Sequence, residues 1–427
     1  MKRRTSIFPM IIIGILFFIF GFVTWLNGSL IPFLKVICDL TEFQALFVTF
    51  AFYISYTVMA LPMASVLERT GYKNGMAIGL GVMVVGSLLF IPAALSANFL
   101  IFLAALFALG TGLTILQTAS NPYVVLIGPI ESAAMRISIM GLINKSAGVL
   151  VPIAFTALIL SDIGSISSDL SNTEIDELAS RLIKPYIVMA IVLTGLIGLV
   201  KFSNIPELEF EKDDEYDHGS IFQFPQVILG AVALFFYVGI EVIAGDTIGL
   251  YAQGLDVANA TALTSYTMVF MVFGYLIGVA FIPKFLSQEK ALIFSALGGI
   301  LLLLGVAFSS TSSHEISETL WGWSGIATLP DSVAFVALLG FANALVWPTI
   351  WPLALEGLGK YTAKGSALLI MAIAGGAILP LVFGRVAEIT GDMQSAYLVG
   401  IICYLFIFIY AIKWHKMSSW SKARGDV

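Results

Sequence analysis

A succession of apolar stretches, each about twenty residues long, constrains the fold of this chain more than any other feature of its sequence. They run near 8–34, 43–67, 74–95, 98–127, 136–160 and 184–203, then near 225–253, 260–286, 290–310, 331–355, 365–389 and 394–413. A helix rises about 1.5 Å per residue, so each stretch reaches across the roughly 30 Å hydrocarbon core of a bilayer. Of the 427 residues, 59% are hydrophobic and only 11% charged, and a water-soluble fold has no interior large enough for that apolar surface. The reading that follows is an all-α membrane protein with twelve transmembrane helices, its partner surface the lipid bilayer.

Lys2, Arg3 and Arg4 precede the first apolar run as in a signal peptide, but the run is too long for an h-region and lacks a small-residue cleavage site. It reads as a retained first span. With the N-terminus in the cytoplasm, nearly all basic residues between spans fall on that side, Arg69, Lys73, Arg136, Lys201 and Lys290 among them. Lys35, Arg181 and Lys184 fall outside, an asymmetry expected of a multi-pass protein with both termini cytoplasmic. The charged segment from Asn204 to Gly219 divides the spans six and six. The predicted organisation is an N-terminal half 1–203, a cytoplasmic linker 204–224 and a C-terminal half 225–427.

The two halves repeat one another. Residues 109–122 read LGTGLTILQTASNP and residues 339–352 read LGFANALVWPTIWP, which lays span 4 over span 10. In the next spans Gly148-Val-Leu-Val-Pro152 matches Gly376-Ala-Ile-Leu-Pro380 at nearly the same offset. Parallel repeats about an axis along the membrane normal are the pattern of the major facilitator fold, with two pseudo-symmetric six-helix halves and a substrate site between them near mid-membrane.

Several function classes drop out. The net charge of −6 comes chiefly from loops, and no basic patch points to nucleic acid. Cys38 and Cys403 stand alone, outside any zinc or disulfide pattern. His218, His314 and His415 lie in loops or at a helix end. No phosphate-binding G-x-x-x-x-G-K-[ST] loop is present, which removes an ATP-driven pump, and no cluster of nucleophile, base and metal ligands suggests an enzyme.

Ionisable side chains inside hydrocarbon cost at least about 2.5–3.5 kcal/mol, so those present are functional candidates. Lys145 in span 5 and Glu241 in span 7 fall near mid-depth, with Asp246 five residues beyond. Two readings stay open: a structural set, with Lys145 or Arg385 satisfying the carboxylates, or a coupling site that titrates a proton or helps coordinate sodium near Glu241 or Asp246. Arg385 and Glu388, three apart on one helix, suggest a local gate or clasp. Amides at Asn27, Gln117, Asn121, Asn144 and Asn343 carry both donors and acceptors, as sugar hydroxyls require. Hydrogen-bond glue between helices explains such groups, with Ser29 and Ser120, equally well. Trp25, Trp347 and Trp351 add flat faces on which a pyranose ring stacks, whereas Trp321, Trp323, Trp414 and Trp420 fit an interfacial belt. Prolines at Asn121-Pro122, Trp347-Pro348, Trp351-Pro352 and Pro380 interrupt the helical ladder and mark hinge candidates.

Specific stretches carry a resemblance: Leu26-Asn-Gly-Ser-Leu-Ile-Pro32, Leu116-Gln-Thr-Ala-Ser-Asn-Pro-Tyr123, Tyr237-Val-Gly-Ile-Glu241, Trp347-Pro-Thr-Ile350 and Gly365-Ser-Ala-Leu-Leu-Ile-Met371. Through nearly its whole length the chain resembles the fucose–galactose–glucose symporter family of the major facilitator superfamily. That resemblance implies alternating access and symport of a monosaccharide with a cation, sodium or proton, by a monomer in a bacterial cytoplasmic (inner) membrane. Fucose-transporting members carry an Asp after the span-1 Asn and a Glu in the span-4 motif, where this chain has Gly28 and Gln117. Their proton path therefore does not transfer, while Gln117 and Ala244-Gly-Asp246 resemble the glucose/galactose branch, and Asn144 matches a sugar-contacting Asn. A glucose- or galactose-type hexose is the expected substrate, with N-acetylhexosamine or fucose as alternatives. A sugar sensor without flux is the other class, and the short tails argue against it. No cofactor is expected beyond a bound sodium ion.

Overall fold

The computed structural model describes residues 7–126, 133–160, 171–203, 220–282, 285–358, 361–420 and 422–423. The basic N-terminal triplet and linker residues 204–219 lie outside them. Among the described residues twelve helices are long and apolar enough to cross a membrane, numbered here as spans 1 to 12. They are Phe8–Ile37, Glu42–Leu67, Arg69–Ser96, Phe99–Asn121, Arg136–Ile159 and Thr173–Phe202, then Pro225–Gln253, Ala260–Phe281, Gln288–Phe308, Asp331–Leu355, Lys364–Thr390 and Met393–Lys416.

Two boundaries differ from the sequence reading for identifiable reasons. Spans 2 and 3 are separated only by a kink at Gly71, whose φ of 79° and ψ of 171° suit a residue without Cβ. Span 6 starts earlier because a polar helix, Asn172–Ser180, precedes the apolar run and is fixed by a capping box between Ser171 and Glu174. At the C-terminal end Met417–Ser419 pairs with Lys422–Ala423 in a small antiparallel ribbon.

Packing repeats the sequence symmetry. Spans 1 and 5, 2 and 4, and 3 and 6 pack together in the first half, and 7 and 11, 8 and 10, and 9 and 12 in the second. The repeated glycines sit at those contacts. A Cβ at Gly110 would collide with the Phe52 carbonyl of span 2, and one at Gly340 with the Thr267 carbonyl of span 8. Gly148 lies against Trp25 of span 1 and Met268 of span 8, whereas Gly376 lies against Val242 of span 7 and Tyr53 of span 2. Exchange the two halves and each set of neighbouring spans becomes the other. Small residues here let backbones approach, the usual device of helix packing in lipid.

The halves meet along spans 5 and 8, spans 2 and 11, and spans 1 and 7. Polar contacts across this seam cluster at mid-depth and toward the end remote from the two termini. Ser29 donates to the Thr261 carbonyl at 2.6 Å, the hydroxyls of Thr156 and Thr261 stand 2.7 Å apart, and Ser265 donates to the Val149 carbonyl at 2.7 Å. Gly384 of span 11 packs against Leu46 and Phe43 at the same end.

Several spans of the second half are interrupted. Span 7 stops at Asp246 and resumes at Ile248, span 10 stops at Asn343 and resumes at Val346, and span 11 tightens to a 3₁₀ turn over Ala372–Ala374. Pro348, in the first turn of the resumed helix, has no N–H to offer the preceding turn. The break expected at Asn121-Pro122 is not seen: the helix runs unbroken from Phe99 to Leu126. Proline weakens the ladder there without parting it, because span 4 is held along its length by spans 2 and 3.

Candidate functional site

Charge placed at mid-membrane has to be compensated, so the site is best built outward from its ions. Lys145 of span 5 and Glu241 of span 7 are 8% and 7% exposed, and their Nζ and Oε1 lie 2.6 Å apart, an ion pair joining the two halves. The ammonium also stands 4.3 Å from the centroid of the Trp25 ring, a cation–π contact that shields its other side. The Trp25 indole N–H donates to Asn144 at 3.4 Å, and the Asn144 amide reaches the Phe17 carbonyl at 3.4 Å. Trp25 itself is 2% exposed among Met268, Met271, Tyr275 and Ala344.

From Glu241 the network extends two ways. The Tyr237 phenol, one helical turn earlier, is close enough to feel its carboxylate electrostatically, and the Tyr237 ring lies 6.3 Å from that of Trp347, itself 5.5 Å from Trp351. On the other side Tyr53 of span 2 is close enough to feel both Glu241 and Asp246 electrostatically. Tyr53 stacks with Tyr56 at 6.4 Å, and the Tyr56 hydroxyl accepts from the Gln117 amide at 2.8 Å. Asn121, four residues on, shares the Gln117 face of span 4, and both are half-buried. Gln117, Asn144, Trp25, Lys145, Glu241, Asp246, Trp347 and Trp351 thus belong to one connected assembly fed by both halves.

Asp246 differs from its neighbours. It is 0% exposed, and neither carboxylate oxygen has a hydrogen-bond partner. Asn27, at 1% exposure, likewise has no partner for either amide atom. The two residues flank one helix crossing, since Gly28 packs on the Gly245 carbonyl and on the Thr264 hydroxyl.

Three expected members stand apart. Arg385 and Glu388 pair with each other, 60% and 47% exposed, on an outer surface shared with Phe43, Leu381 and Val386. Arg385 therefore satisfies neither Glu241 nor Asp246, the role that sequence reading left open for it. Asn343 is fully buried inside the second half, where it accepts from the Tyr404 hydroxyl at 2.7 Å. Sequence reasoning also passed over Tyr53 and Tyr56. Their signal was available: two phenols one turn apart in the middle of an apolar span, each with a polar tip that lipid cannot satisfy.

The Major Facilitator Superfamily model matches residues 13–380. A glucose/galactose transporter of Brucella abortus biovar 1 (strain 9-941) is 34% identical over 412 residues, 95% of this chain and 93% of that protein. The L-fucose-proton symporter of Escherichia coli (strain K12) is 28% identical, over 96% of this chain and 94% of its own. Among solved structures, the facilitator FucP in its outward conformation superposes with a TM-score of 0.72 at 26% identity, covering 96% of this chain and 99% of that one. With the family model spanning most of its length, and a relative one third identical nearly end to end, the chain belongs to the Major Facilitator Superfamily of membrane transporters, in the group that holds the glucose/galactose transporters and L-fucose-proton symporters.

Proposed function

We propose that this protein is a secondary active transporter that imports a neutral hexose, glucose or galactose first, by symport with sodium or protons and alternating access. The observation that carries the reading is the contrast between pseudo-equivalent walls. In the repeat that lays span 4 over span 10, Gln117 corresponds to Trp347 and Asn121 to Trp351. One half thus offers two amides and the other two indoles at the same relative positions. A pyranose has hydroxyls on its edges and an apolar face, so it matches a site with donors and acceptors on one side and flat rings on the other. Asn144 and Trp25 back this site from the first half, and the group of buried charges Lys145, Glu241 and Asp246 contains the carboxylate on which coupling would act. Arg385 and Glu388, remote from that centre, are proposed to clasp the far end of span 11.

Relatives named for glucose/galactose and for L-fucose with proton support a monosaccharide cargo and make fucose the second candidate. The basic residues at the termini end support a cytoplasmic position for that face, and on this reading the seam closed by Ser29, Thr156 and Thr261 is the outer one. A monomer in a bacterial inner membrane fits the facilitator fold. The test is uptake of labelled glucose, galactose and fucose into proteoliposomes under separate sodium and proton gradients. Accumulation of glucose or galactose under one gradient is expected, and no uptake under either defeats symport.

A further inference from the structure

The charges buried in the interior of the spans do not balance. Among the described residues they comprise one cation, Lys145, and two carboxylates, Glu241 and Asp246; Arg136 and Asp331 are also buried, but each opens its span at one end. Lys145 is committed to Glu241 at 2.6 Å and closed in by the Trp25 ring. That leaves Asp246 fully buried, both oxygens unpartnered, at the break in span 7, with the unpartnered amide of Asn27 at the same crossing. A lone ionised carboxylate in such surroundings costs several kcal/mol, and a single bound positive charge removes that cost.

Resting on the transport reading, we propose that Asp246, with the Asn27 amide, binds one monovalent cation per transport cycle, whereas the Lys145–Glu241 pair is a latch between the halves that carries no coupling ion. The charged and titratable groups that reach Asp246 are Glu241 on its own span, Lys145 on span 5 and Tyr53 on span 2. The first two neutralise one another, and a phenol is ordinarily uncharged near neutral pH. One net negative charge remains, which fixes the count at one cation. A proton needs a single oxygen of Asp246, and a sodium ion would take both with the Asn27 carbonyl.

Two measurements test the assignment on the full chain. In proteoliposomes holding a fixed hexose gradient, the voltage that stops net flux gives the charge moved per sugar, measured with a sodium gradient at equal pH and with a pH gradient free of sodium. One charge per sugar is expected under one of these gradients, and two would overturn the proposal. Purified protein in detergent should take up one radiosodium ion, or one proton, per chain, and Asp246→Asn should abolish this and lower uphill accumulation at least tenfold. An ion response that survives in Asp246→Asn but vanishes in Lys145→Met with Glu241→Gln places the cation on Glu241 and overturns the assignment. A wild-type chain that binds one cation at Asp246 yet moves no hexose keeps this inference and defeats the sugar reading instead.

Discussion

At the scale of single residues, the Lys145–Glu241 pair makes the sharpest claim. Removing one partner of a buried pair strands the other charge at a cost of about 3–5 kcal/mol, whereas neutral partners of similar size are tolerated. Lys145→Met and Glu241→Gln are each expected to lower the thermal midpoint of the purified protein, and the double variant to recover most of the loss. Additive losses in the double variant would mean the pair is not one unit. Gln117→Ala removes an amide held by Tyr56 and is expected to weaken hexose binding about tenfold, roughly 1.4 kcal/mol, as read by tryptophan quenching. Unaltered affinity would take Gln117 out of the sugar site. Glu241, Asp246, Lys145 and Gln117 were legible in the sequence because lipid makes such groups costly wherever they occur. Asn343 and Arg385 were equally visible, but their partners were not: Tyr404 lies 61 residues from Asn343, and no local pattern announces it. Tyr53 and Tyr56 read as ordinary aromatics because a phenol's polar tip carries little weight in an apolar run.

At the scale of helices, glycine divides into two kinds that composition cannot separate. Gly340 lies under the Thr267 carbonyl of span 8, whereas nothing stands within 4 Å of the Cβ position of Gly195 in span 6. Gly340→Val is expected to force spans 8 and 10 apart and to destabilise by about 1–3 kcal/mol or more. Gly195→Ala adds a methyl to open surroundings and is expected to raise stability by about 0.5–1 kcal/mol by restricting the unfolded chain. Melting curves of the two variants decide it, and equal effects would contradict the close backbone contact. The sequence repeat puts Gly340 of span 10 in register with Gly110 of span 4, and the two make matching contacts, Gly110 against span 2 and Gly340 against span 8. Helix breaks were less legible. Pro348 marks one in span 10, but span 7 parts at Asp246 with no proline near it, and span 4 passes Pro122 unbroken. A proline removes one hydrogen bond, and whether the helix then parts depends on neighbours that only the fold supplies.

At the scale of the whole molecule, twelve spans and their division six and six follow from length, hydropathy and basic residues, but which end of the seam is shut does not. That depends on contacts between residues more than a hundred positions apart, among them Thr156 with Thr261 at the far end, 2.7 Å between hydroxyls. Alternating access requires this contact to part once in every cycle. In a background where Cys38 and Cys403 are replaced by serine and alanine, Thr156→Cys with Thr261→Cys puts two sulfurs where the hydroxyls meet, close enough to bond. Oxidation is expected to cut hexose exchange by more than tenfold and reduction to restore it, while either single cysteine responds to neither. Both gates have to open in turn for net transport, so a tether at one end stops flux even though the site remains reachable from the other. Hexose binding from the termini side should accordingly survive oxidation, measured on inside-out membrane vesicles. Exchange that continues at full rate with the disulfide formed would show that these spans do not separate, and the two halves would then have to admit substrate by some motion other than rocking about their seam.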